Sequence, residues 1–240
     1  MKKVIFTAAV MAMVAGGASM VMAAAANDGQ GILGSSHDFS DGTLLAAKTG
    51  ATVTNEAWNT RGEVCRVCHA PHDKNRTRYT DGLLWNHQVS DVSFTMYSSE
   101  TLQGVVDASP TGSTKLCMGC HDGVTAIDTF DSLTGSTAIT AYANTSIVMG
   151  ASAGHLDGNH PVSITYPTTD AELHAPATAT WKNGNTVAST LQDGKVQCST
   201  CHDVHNKDTY AGSSLLRTGN KIDAVGGATA SGLCLTCHNK

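Results

Sequence analysis

Four short stretches decide how this chain is read: CRVCH (65–69), CMGCH (117–121), CSTCH (198–202) and CLTCH (234–238). They use all eight cysteines, as the pairs Cys65/Cys68, Cys117/Cys120, Cys198/Cys201 and Cys234/Cys237. Every pair is C-x-x-C, and a histidine follows each at once: His69, His121, His202 and His238. The motifs start 52, 81 and 36 residues apart.

C-x-x-C-H is the attachment signature of c-type haem. Two thiols add across the two haem vinyl groups, and the adjacent histidine reaches the iron as proximal ligand. Zinc ribbons and redox dithiols also use C-x-x-C. A pair of all-thiolate zinc sites would use every cysteine and leave four histidines without a role, and no βαβ pattern supports a dithiol oxidoreductase. Histidine fills 11 of 240 positions, so four chance placements have odds on the order of one in a hundred thousand. The reading is four haem c groups with their iron. The expected fold class is a multihaem cytochrome c, mostly coil with short helices wrapped around a covalent haem core and few strands. Haem-free chain is expected to be largely unfolded.

Composition points the same way. The chain is 41% apolar but only 5% aromatic, with 24 glycines, so its own side chains offer little mass for a broad core. Residues 1–26 carry Lys2 and Lys3, then an apolar small-residue run, then Ala23 to Ala26. That order is a secretory signal peptide, leaving 27–240 as a single tetrahaem domain. Without Lys2 and Lys3, 13 basic residues face 20 acidic ones, a net of −7. Nucleic acid is disfavoured as a partner, and no later stretch has the ~18–20 apolar residues that span a bilayer. The expected location is extracellular or outer-surface, with the periplasm as the alternative. Short helical turns are expected at the haem motifs, a weak helix over 42–47, a short helix or strand over 89–97, and strand-like chain over 162–166. The 81-residue gap is open to two readings, a boundary between haem clusters or a segment across which they pack.

Four irons with four proximal histidines leave seven further histidines and three methionines after the leader, Met96, Met118 and Met149. The excess favours histidine as sixth ligand, which gives low potentials relative to His/Met. Five are ranked for four vacancies: His160 in N-H-P-V, His87 in L-W-N-H, His72 and His205 three residues past a motif histidine, and His37 near the start of the mature chain. His155 and His174 rank below them. The surplus suggests that His37 ligates a haem of the next subunit, which would build a head-to-tail homopolymer. Iron with two histidines has no open position, so the expected role is electron transfer among haems and other redox proteins, with no enzyme activity. The alternatives are a soluble periplasmic tetrahaem shuttle and a multihaem reductase of nitrite or a sulfur oxyanion.

The stretches CRVCHAPHDK (65–74), LLWNHQVSDVSFTMYSSETL (83–102), KLCMGCHDG (115–123), GNHPVSITY (158–166), QCSTCHDVHNK (197–207) and LCLTCHNK (233–240) together carry a likeness. The sequence resembles the exported multihaem c-type cytochromes of metal-reducing bacteria such as Geobacter, and among them the small four-haem cytochromes of the outer surface. The resemblance implies extracellular electron transfer to acceptors such as ferric minerals. For some relatives it implies filaments in which an early histidine ligates a neighbour's haem.

Overall fold

The computed structural model describes residues 31–33, 35, 37–40, 59, 61–70, 84–139, 147–150, 153–205, 209, 215–219 and 231–239. Residues 1–26, expected to be a signal peptide, the expected helix over 42–47 and His72 lie outside these residues.

Three helices appear among the described residues, each at a C-x-x-C motif: α1 (Gly112–His121), α2 (Cys198–Cys201) and α3 (Gly232–Leu235). A 3-10 turn covers Ala188–Thr190. Strands β1 (Ile164–Thr165) and β2 (Lys195–Val196) pair antiparallel, Ile164 opposite Val196 and Thr165 opposite Lys195. The strand-like segment 162–166 thus contributes β1, whereas 89–97 is irregular apart from a bridge between Thr95 and His155. The first motif is a hydrogen-bonded turn in which the His69 N–H donates to the Cys65 carbonyl at 2.8 Å.

Only α1 exceeds one turn. It starts after Thr111, which is extended. The side chain of Thr111 does not cap the helix; instead the Ser113 N–H donates to Gln192 Oε1 at 2.8 Å, satisfying an amide that a helix start leaves open. Gly112 has φ +51°, and a Cβ there would run into the side-chain amides of Gln192 and Gln197. The helix stops at Asp122, whose Oδ1 accepts the N–H groups of Val124 and Thr125, each at 2.8 Å. That Asx turn gives the backbone an alternative to another helical turn.

Among the described residues, two clusters of buried side chains form part of the apolar interior. Ile127 and Ile139 pack with Cys120, Ile147 and Val148. Tyr166, Trp181 and Val187 pack with neighbours that include Val196, Cys201, Leu233 and Cys237. Trp181 is buried, and its indole N–H donates to Thr190 Oγ1 at 3.0 Å, as a buried Trp requires. These findings correct the expected fold class. The described interior is built from side chains around short helices and one two-stranded sheet, not from a covalent haem core. The aromatic shortage is met by concentrating large residues in one cluster, where a single Trp and Tyr bury much area.

Candidate functional site

The site begins with the thiols. All eight cysteines are free, and none is joined in a disulfide. Cys65 and Cys234 are exposed. Burial pushes Cys68 up to about 11 and Cys201 up to about 12. Burial likewise lifts Cys237 to about 11 and Cys120 well above its ordinary value. Cys117 donates its S–H to Cys198, which raises Cys117 and lowers Cys198. The 81-residue gap therefore folds back until the second and third motifs touch. Protonated thiols of this kind are weak nucleophiles until a partner draws off the proton.

Each of three motif histidines faces a second imidazole drawn from far along the chain. His69 and His205 have ring centroids 6.4 Å apart and planes 12° from parallel. His121 and His37 are separated by 6.1 Å, and His238 and His160 by 6.3 Å. His37 thus finds its facing ring within its own chain. Hydrogen bonds orient these rings. The His121 Nδ1 donates to the Ile147 carbonyl at 2.6 Å, and the His160 Nδ1 donates to the Pro161 carbonyl at 3.0 Å. Both bonds leave Nε2 as the bare nitrogen, the usual way a second contact fixes a ligand tautomer.

The remaining predicted histidines fall elsewhere. His87 is wholly buried. Its Nδ1 lies 2.8 Å from the Gln88 carbonyl, its Nε2 lies 3.0 Å from the Ile127 carbonyl, and Cys120 Sγ is 3.4 Å from Nε2. A neutral ring can donate to only one of two carbonyls, yet burial disfavours the charged ring, and burial wins: the His87 pKa is lowered. His155 pairs with Asp157 at 3.2 Å, and the backbone N–H of His174 donates to the Cys237 carbonyl. The backbone N–H of His202 donates to the Cys198 carbonyl at 3.0 Å.

Sequence reasoning missed the residues that hold the first motif. The Asn86 N–H donates to the Cys68 carbonyl at 2.9 Å, and the Asn86 side-chain amide donates to Asp131 Oδ1 at 3.0 Å. Arg66, inside the motif, donates to both oxygens of Asp131 at 2.8 and 2.9 Å. Burial would raise the Asp131 carboxyl, but hydrogen bonds from Arg66 and Asn86 and the arginine charges hold it below the ordinary value.

No protein-family model matches the chain, and no curated protein matches it. Among the described residues, no group of three or more His, Cys, Asp and Glu side chains is placed to hold a metal ion. A centre built by the chain alone needs three or four donors together, and the described imidazoles come in twos. That finding corrects the expectations drawn from the motifs. The multihaem cytochrome identity, the four haem c groups with iron, and electron transfer along them are withdrawn as descriptions of what these residues assemble. The four C-x-x-C-H motifs remain in the sequence with their thiols free. No described helix is long and apolar enough to cross a membrane.

Proposed function

We propose that this is a binding protein in which three of the four C-x-x-C-H turns, those of His69, His121 and His238, take up an exogenous group between two imidazoles, next to the thiols of the turn. The observation that carries the reading is the repeated pairing: His69/His205, His121/His37 and His238/His160 share one separation within 0.3 Å. Each pair joins a motif histidine to one of the ranked histidines. Imidazole nitrogens donate to or accept from a polar group, and thiols add to electrophilic carbon. The role is binding rather than catalysis. Cys120 and His87 are the described Cys–His contact, but the ring is fully buried and the thiol is pushed away from its reactive form. The leader-like residues 1–26 support export.

The test is the intact mass of natively purified mature protein, followed by mass mapping of the four C-x-x-C peptides and metal analysis before and after unfolding. Added mass on the peptides of the first, second or fourth turn is the expected result; a metal released on unfolding with no added mass on any of them would count against it. A bare polypeptide mass with all eight thiols open to alkylation would sink the proposal.

A further inference from the structure

We infer that Gln197 is a positioning residue that locks the second and third C-x-x-C-H turns into one unit, so that their four thiols are protected or opened together. This deepens the binding reading and rests on it for the role of the thiols. Gln197 immediately precedes Cys198, yet it is 2% exposed, and two of the side chains it meets, Thr114 and Ser163, are at 0%. Its Oε1 accepts the Thr114 hydroxyl at 2.6 Å and the Ser163 hydroxyl at 3.1 Å. Its Nε2 donates to Thr111 Oγ1 at 3.2 Å. Thr114 in turn accepts the Cys198 N–H at 3.1 Å.

The bonds form a directed chain between the motifs. Thr111 donates its own hydroxyl proton to Asp107 at 2.7 Å, and Lys195 Nζ holds both Asp107 oxygens at 2.7 Å. The strand register explains the meeting: Ile164 pairs with Val196, which sets Ser163 beside Gln197. A second link joins Ser113 to Ser199 by their hydroxyls at 2.7 Å. Thr114 lies on α1 one turn before Cys117 and Met118, so a shift at Thr114 moves the Cys117 motif, while the Cys198 amide moves with the same hydroxyl. A buried polar network is costly when one member is removed, because the others lose partners that water cannot replace. Removing Gln197 therefore loosens both turns and not one.

The experiment is site-resolved alkylation of native protein, wild type against Gln197→Leu, read by mass on the four cysteine peptides. The expected result is an increase of about tenfold in open thiol at Cys117, Cys120, Cys198 and Cys201, with the first and fourth pairs unchanged. Thr114→Val repeats the pattern, and Thr114→Ser, which keeps the hydroxyl, restores protection. Protection equal to wild type, an increase confined to Cys198 and Cys201, or an even increase over all four pairs would each overturn the inference. If wild-type protein carries no added mass, the binding reading fails, and the alkylation pattern still decides the coupling.

Discussion

His69 and His205 stand 136 residues apart in sequence and 6.4 Å apart in space, with their rings nearly parallel. If both rings act on one bound group, their contributions are not independent. We predict that His69→Ala and His205→Ala each weaken retention of the group at the first site, and that the double variant is no worse than the poorer single one. The coupling should be about 0.5–3 kcal/mol, read from the denaturant midpoint for release of the group from the Cys65–Cys68 peptide. Additive losses would show that the rings do not share it.

His87 sets a pH dependence. Burial lowers its pKa in the folded protein below the ordinary 6.5, so the unfolded chain binds the proton more readily. Stability is then fully present above pH 6.5 and falls as the pH drops through 6.5 toward the lowered folded value. Urea unfolding at about pH 7.5 and about pH 5 should show the loss. The slope should be shallower in His87→Gln, which keeps polar contacts but does not titrate.

Asp131 joins Arg66 to Asn86 and so braces the turn that carries Cys68. Asp131→Ala should destabilise the fold by about 1–3 kcal/mol, because it leaves a largely buried arginine and amide without their shared acceptor. Arg61→Ala should cost less than about 1 kcal/mol, since that side chain is 48% exposed and its ion pair is screened. The Asp131 carboxyl is held below its ordinary 3.8, so its contribution is present above pH 3.8 and is lost as pH falls through the lowered value. Equal effects of the two substitutions on the chemical unfolding midpoint would contradict this ranking.

Gly119, inside the second motif, lets the segment of His87 and Gln88 pass against α1. A Cβ at 119 would fall on the Gln88 carbonyl and crowd the His87 ring. Gly119→Ala should therefore cost about 1–3 kcal/mol through overpacking, although alanine is the better helix former. Thermal unfolding of the variant checks the sign; a stabilised protein would mean that the segment moves aside freely.

Several features were legible along the chain because the chemistry is local. The order Cys-x-x-Cys-His sets a histidine beside two thiols in any fold; the excess of histidines put forward His37, His72, His87, His160 and His205, of which His37, His160 and His205 meet a motif ring, His87 is buried against two backbone carbonyls and His72 lies outside the described residues. Which ring meets which could not be read there, since the three pairs close over 84, 136 and 78 residues, and nothing local encodes a contact of that span. The interior was misjudged for a related reason: a low aromatic count says nothing about where the aromatics gather, and Tyr166 and Trp181 gather in one cluster. Gln197 and Asn86 carried no signal at all, because an amide next to a cysteine or a tryptophan looks like any surface amide until its partners are known. Local covalent order determined the thiol and imidazole turns. Only the tertiary structure decided which turns are bound together and which histidines face each other, because burial and long-range hydrogen bonds exist only once the chain has closed on itself.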